Sequence, residues 1–131
     1  MGRIGQAFIL AVTMLLSAAP AGAVEWDKAQ TVTVATSEFQ FTPSELTFRR
    51  GVPYRLHLEN RGKEEHEFTA PAFIKTLRVR NPKVLNADHT EVVLQPGQAK
   101  DFYFVPQKGG HFPLICADHD WAGMTGEITV E

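Results

Sequence analysis

Cysteine is the scarcest reactive residue of this chain, with a single copy among 131 residues. One thiol cannot close a disulfide within the chain, and it cannot form the Cys-x-x-Cys-His motif that attaches a c-type haem. A dinuclear copper centre bridged by two cysteines is excluded for the same reason. Any thiolate chemistry therefore depends on Cys116 alone.

Strong charge and the signals of covalent catalysis are also missing. The chain has 13 basic and 15 acidic residues, a formal net charge of −2 and no basic stripe. Nucleic acid is therefore not expected as a partner. No motif suggests an oxyanion hole or a third residue that would orient a Cys-His nucleophile. We therefore expect a protein that is not an enzyme.

Long apolar runs are confined to the N-terminus. Arg3 precedes the mostly apolar stretch Ile4–Leu16, and Ala21-Gly-Ala23 then offers small residues. This layout is typical of a secretory signal peptide cleaved after Ala23. The stretch is short for a bilayer span, which needs about 20 residues, although a retained anchor is the competing interpretation. We expect residues 1–23 to be a cleaved signal peptide and residues 24–131 to form one periplasmic domain without a membrane span.

Sustained helical periodicity is scarce after residue 24, whereas alternation of polar and apolar residues recurs. In Tyr54–Glu59, for example, apolar and polar side chains alternate, and Asn60-Arg-Gly62 then breaks the strand. Gln95-Pro-Gly97 is another turn signal. Strands separated by turns predict an all-β sandwich or barrel. Nine Phe, two Trp and two Tyr are available to fill its core.

The segment before the last predicted strand contains a thiol, an imidazole and a thioether. Cys116, His119 and Met124 lie there with the spacing Cys-x₂-His-x₄-Met. With a second histidine these side chains make the ligand set of a mononuclear blue-copper site, a His₂Cys plane with a weak axial Met. Burial of Cys116 as a plain apolar thiol and use of Met124 as core filler are the alternatives. Zinc is less suitable because Met is not a usual zinc ligand.

The second imidazole has to come from another strand, and His66 is the best candidate. His57 lies on the polar face of a predicted strand, and His89 lies in an irregular segment, so both are expected to be solvated. His111 begins the strand that leads to Cys116, which should place it at the opposite end from the ligand loop. His66 could instead be an ordinary surface residue of its strand.

The ligand loop resembles the C-terminal signature of the cupredoxins. Gly110–Val130 carries the Cys-x₂-His-x₄-Met spacing of plastocyanin, amicyanin and pseudoazurin, and Phe39–Pro43, Leu46–Gly51 and His66–Phe68 are weaker matches. The resemblance extends from about Thr31 to Glu131. It implies a Greek-key β-sandwich of about seven to eight strands, with one copper ion per chain near one end. The ligands that it implies are His66, Cys116, His119 and Met124.

Two positions beside these ligands depart from the family pattern. Glu67 stands where many cupredoxins have Asn or Ser, and Asp118 stands where many have Pro. An Asp118 N–H could donate to the sulfur, whereas carboxylates favour Cu(II), so the two effects on the potential oppose each other. Pro113 predicts an edge position or a bulge. Trp121 could shield the metal, belong to a docking surface or pack in the core.

The resemblance implies a monomeric one-electron carrier. Its partner would be an exported cytochrome or oxidase, bound through a small, weak interface, with His119 nearest the surface. The alternative is a copper-binding protein for tolerance, sequestration or delivery, although no Met- or His-rich tract follows the predicted cleavage site. A third possibility is a redox enzyme or small-ligand sensor in which Met124 is displaced or Glu67 binds copper.

Overall fold

The computed structural model describes residues 22–131, together with Gly2. The predicted signal peptide, residues 1–23, lies almost entirely outside the described residues, so its cleavage stays a prediction. Within the described part, no helix is long and apolar enough to cross a membrane.

Ten strands make up most of the regular structure of the described chain, as the alternating pattern predicts. In β4, buried residues alternate with partly exposed ones over all seven positions. Within residues 22–131, helical structure is limited to α1 (Pro71–Ile74) and to 3₁₀ turns at Trp26–Lys28, Pro82–Val84 and Asp120–Ala122. The strands are β1 (Gln30–Ser37), β2 (Gln40–Thr42), β3 (Glu45–Phe48), β4 (Tyr54–Asn60), β5 (His66–Thr69), β6 (Leu77–Val79), β7 (Glu91–Leu94), β8 (Ala99–Pro106), β9 (Gly110–Ile115) and β10 (Thr125–Val130).

The strands form two five-stranded sheets, with the orders β2-β1-β4-β8-β6 and β3-β10-β9-β5-β7. Most neighbours are antiparallel, but β1 runs parallel to β4 and β3 runs parallel to β10. The predicted all-β sandwich is confirmed. Its ten strands exceed the predicted seven to eight, because a three-residue strand such as β2 carries too little alternation to be counted from the sequence.

Phenylalanine rings fill the space between the sheets. Phe48, Phe73 and Phe104 are fully buried, and their ring centroids lie 5.2 to 5.7 Å apart. Tyr54 packs edge-on against Phe48 at 4.8 Å, and its hydroxyl accepts a hydrogen bond from the Arg49 N–H. Each large ring removes about 150–250 Å² of surface from water, so this cluster gives the sandwich a rigid centre.

The strand ends at one end of the sandwich position the predicted ligands. His66 is the first residue of β5, and Cys116 directly follows β9. The pair Thr69–Ile115 joins β5 to β9, whereas β9 pairs with β10 along its whole length. Pro113 lies in β9, the middle strand of its sheet, so the predicted edge position is wrong. Proline is tolerated there because the single pair with β5 leaves little hydrogen bonding to disrupt.

Candidate metal centre

The ligand loop is closed by its own backbone. Cys116 N–H donates to the Met124 carbonyl at 3.0 Å, and Met124 N–H donates to the His119 carbonyl at 3.3 Å. His119 N–H in turn donates to the Cys116 carbonyl at 3.0 Å. Gly123 ends the 3₁₀ turn with φ 81°, a left-handed conformation that favours glycine. Backbone hydrogen bonds within the loop therefore link the three residues that carry the predicted donors, Cys116, His119 and Met124.

His66 completes the cluster from β5. Its Nδ1 lies 3.9 Å from the Cys116 sulfur, and His119 Nδ1 lies 3.6 Å from the same sulfur. The three donor atoms are all within 4.8 Å of one another. His66, Cys116 and Met124 are fully buried. Two imidazoles, a thiolate and a neighbouring thioether form a donor set that fits a copper ion.

Glu67 places a buried carboxylate against the sulfur. The Cys116 thiol donates to Glu67 Oε2 at 3.0 Å, and the backbone N–H of Glu67 donates to the sulfur at 3.4 Å. Burial raises the pKa of Glu67 to about 7. Burial, followed by the hydrogen bond to Glu67, raises the pKa of Cys116 to about 12. A cation must therefore displace the thiol proton before the sulfur can act as a thiolate ligand.

Asp118 faces Glu67 rather than the histidines. Its N–H lies 3.5 Å from Glu67 Oε2. Donor oxygens of Glu65, Glu67 and Asp118 form a second cluster within 4.8 Å, separate from the cluster of His66, Cys116 and His119. Carboxylate groups are often clustered without an ion, and we assign none to these three.

The outer nitrogens of both clustered histidines meet carboxylates that the sequence did not suggest. His66 Nε2 lies 3.3 Å from Glu38 Oε1, and His119 Nε2 lies 2.9 Å from Glu64 Oε2. Glu38 also accepts the backbone N–H groups of Lys63 and Glu64. The Glu64 N–H is the largest cause that lowers the pKa of Glu38, so this carboxylate is ionised at neutral pH.

Aromatic side chains surround His119 at the surface. Its ring centroid lies 4.8 Å from that of Phe39 and 6.5 Å from that of Trp121. Trp121 is 78% exposed, and its indole N–H donates to the Asp118 carbonyl at 2.9 Å. Core packing of Trp121, one of the readings left open by the sequence, is therefore wrong. Phe39 could not be linked to His119 from the sequence because 80 residues separate them.

The remaining histidines lie outside the cluster, as expected. His57 Nδ1 is 2.7 Å from Asp101, and its Nε2 is 2.9 Å from Glu59, so His57 is an ion-pair residue rather than a simply solvated one. His111 Nδ1 bonds to the Thr129 hydroxyl at 3.1 Å. His89 is exposed.

Comparison with known proteins identifies relatives of low sequence identity. Auracyanin B is 22% identical with a TM-score of 0.59, over 79% of this chain and 90% of that chain. Auracyanin A from Chloroflexus aurantiacus, a blue copper protein, is 16% identical with a TM-score of 0.56, over 77% and 98%. The McoA multicopper oxidase from Aquifex aeolicus is 13% identical with a TM-score of 0.64, over 83% of this chain and 31% of the oxidase. No curated protein sequence matches this chain.

These structural likenesses establish the fold, and the family follows from the sequence. Residues 6–130 match the family model described as the cupredoxin-like domain. The family and the donor cluster around Cys116 together confirm the predicted copper cofactor. The chain belongs to the cupredoxin-like domain family.

Proposed function

We propose that this chain is an exported one-electron carrier whose single copper ion is held by His66, Cys116, His119 and Met124. The observation that supports this proposal is the grouping of three donor atoms within 4.8 Å at one end of the sandwich. Copper supplies a Cu(I)/Cu(II) couple when bound, and sulfur and imidazole donors suit both states. Since four side chains are committed to the metal, little room is left for a substrate.

The positions of the donors favour small rearrangements on electron transfer. His66 and Cys116 adjoin the ends of β5 and β9, and the loop to Met124 is closed by backbone hydrogen bonds. Side chains on such supports keep their geometry better than side chains on open loops. The Glu67 N–H that points to the sulfur at 3.4 Å stabilises negative charge there.

His119 is the proposed point of electron entry and exit. Its side chain is 14% exposed, and Phe39 and Trp121 offer apolar surface around it. Exposed carboxylates of Asp118 and Asp120 border this surface. An exported cytochrome or oxidase with a basic face around its redox centre would complement it. Such encounters are usually small and short-lived, and the carrier itself is proposed to be a monomer.

Absorption and EPR spectra of purified residues 24–131 after addition of Cu(II) test the proposed site. We expect stoichiometric copper and a strong visible sulfur-to-copper band, which Cys116→Ser abolishes while leaving the β-sheet circular dichroism unchanged. Azide should leave the Cu(II) spectrum unchanged, since no ligand position is open. A wild-type protein that binds no copper would contradict the proposal.

The carrier role needs a kinetic and a cellular measurement. Reduced protein should pass electrons rapidly to an exported cytochrome in stopped-flow experiments, and deletion of the gene should leave copper tolerance unchanged. Poor growth on raised copper together with very slow electron transfer would favour copper handling instead. N-terminal sequencing of the periplasmic fraction should find Val24 as the first residue.

A further inference from the structure

The β1–β2 turn and the β4–β5 loop each bring one carboxylate to a histidine of the metal centre. Glu38, in the turn between β1 and β2, approaches His66 Nε2 at 3.3 Å, although His66 has no exposed surface. Glu64, within the loop, approaches His119 Nε2 at 2.9 Å. Both contacts are made by the nitrogen that faces away from the Cys116 sulfur, because the sulfur faces Nδ1 of each ring.

A gap in the loop admits the Glu38 carboxylate. Gly62 has no side chain, and a Cβ at this position would collide with the Glu38 carboxylate and lie 3.0 Å from His66 Nε2. Asn60, which is 2% exposed, fixes the loop around this gap. Its side chain accepts the Gly62 N–H at 2.9 Å and donates to the Glu64 carbonyl at 2.8 Å. The approach of Glu38 to His66 is therefore built into the loop rather than left to a mobile surface side chain.

Glu64 connects the two contacts. Its backbone N–H donates to Glu38 Oε1 at 3.0 Å, while its own carboxylate meets His119. Hydrogen bonds thus run from His66 through Glu38 to the backbone of Glu64, and the Glu64 carboxylate extends this chain to His119 by an ion-pair contact. Ordinary surface ion pairs contribute little to stability, so stability alone gives little reason for both carboxylates to face the two clustered imidazoles.

We propose that Glu38 and Glu64 are positioning residues that set the tautomer and donor strength of both histidine ligands. Glu38 accepts the Nε2–H of His66, and Glu64 pairs with Nε2 of His119, so the Nδ1 lone pair of each ring is left directed at the metal position. Carboxylate partners of this kind orient the ring and make it a stronger donor. Two nearby negative charges also favour Cu(II) over Cu(I), so they lower the reduction potential. This inference rests on the proposed copper function.

Charge and hydrogen bonding are separated by two kinds of variant. Glu38→Gln and Glu64→Gln keep an acceptor oxygen but remove the charge, and the alanine variants remove both. Glu25→Gln is the matched control, because this substitution also removes one negative charge but does so far from the metal centre. Glu25 pairs with Lys28 near the opposite end of β4. Gly62→Ala displaces the Glu38 carboxylate without changing any charge.

The midpoint potential and the Cu(II) affinity, measured by competition with a chelator, are the first readouts. We expect each glutamine variant to raise the potential relative to Glu25→Gln. Glu38→Ala should lower the Cu(II) affinity about 10–100-fold, as mutation of a residue that hydrogen-bonds to a metal ligand usually does. Gly62→Ala should lower the Cu(II) affinity as well. Folded variants whose potential and affinity match those of Glu25→Gln would overturn the proposal.

Histidine ¹⁵N spectra of the metal-free protein give a second readout that needs no copper. Wild type should show the Nε2–H tautomer for His66 and His119, and Glu38→Ala should lose that preference at His66 alone. An unchanged His66 tautomer in a folded Glu38→Ala protein contradicts the proposal. Failure of wild type to bind copper would instead overturn the proposed function, so the two failures are distinguishable.

Discussion

The two histidines of the metal centre reach it from regions that are built differently. His66 is the first residue of β5, is fully buried and has the Glu38 carboxylate behind it. His119 lies in the β9–β10 loop, with its side chain 14% exposed beside Phe39 and Trp121. The strand side buries its histidine by packing, whereas the loop side brings its histidine to the surface. In the proposed copper site, binding strength and electron exchange would therefore depend on different parts of the protein.

Substitution of each histidine by glycine should have the largest effect on copper binding, and it tests the difference between the two histidines most directly. His66→Gly and His119→Gly should each lose copper affinity by at least about 100-fold, the upper end of the losses seen for residues that merely support a ligand. Added imidazole should restore the visible band of His119→Gly, because the vacated position opens to solvent. It should not restore His66→Gly, whose position is closed. Equal rescue of both variants in absorption titrations would remove the distinction.

The same difference explains what the sequence could predict. Cys116, His119 and Met124 are local neighbours, so their spacing alone predicted a cluster. The structure groups the donor atoms of Cys116 and His119 and links all three residues by loop backbone hydrogen bonds. His66 followed from the strand pattern and the poor fit of the other histidines. Glu38 was not predictable, because its contact with His66 depends on how the β1–β2 turn folds onto the β4–β5 loop across 28 positions. No local pattern encodes such an approach.

Substitution of Met124 tests whether the β9–β10 loop supplies a sulfur ligand in addition to Cys116. Met124→Leu keeps a buried apolar side chain of similar volume, so we expect the copper to stay bound and the free energy of unfolding to change by less than about 1.5 kcal/mol. Loss of a weak sulfur donor should raise the reduction potential, on the order of 60 mV for a tenfold change in relative affinity for the two oxidation states. Cyclic voltammetry measures this shift. An unchanged potential would argue that Met124 is not an axial ligand.

Substitution of Trp121 tests whether the exposed surface around His119 takes part in electron exchange with a partner. Because its side chain is 78% exposed, Trp121→Ala should change stability by no more than about 0.5 kcal/mol. Its second-order rate constant with a redox partner should fall about tenfold, equivalent to about 1.4 kcal/mol of binding energy. Trp26→Ala is the control, because Trp26 packs on Tyr103 away from the metal centre. Equal rates for the two variants in stopped-flow experiments would exclude a docking role for Trp121.

Substitution of His57, a histidine outside the metal centre, should have the smallest effect, and this effect should be on the pH dependence of stability. Its hydrogen bond to Asp101, and then that to Glu59, raise the pKa of His57 above its ordinary value of 6.5. Since the folded pKa is the higher one, these ion pairs stabilise the fold fully below about pH 6.5, and their contribution is lost as pH rises through the folded pKa. As pH rises through the folded pKa, the free energy of unfolding of wild type should therefore fall by up to about 1 kcal/mol relative to that of His57→Gln, as expected of a partly exposed pair.

Urea unfolding of the metal-free proteins at several pH values measures this difference, and the copper spectrum of His57→Gln serves as its control. His57 and Asp101 lie opposite each other on β4 and β8 of the first sheet, whereas His66 and Cys116 adjoin strands of the second. The substitution should therefore leave the visible band unchanged. Parallel pH profiles for the two proteins would mean that the ion pairs of His57 form equally well in the unfolded chain. A pH-dependent difference confined to stability would place this part of the pH dependence on the first sheet, away from either histidine of the metal centre.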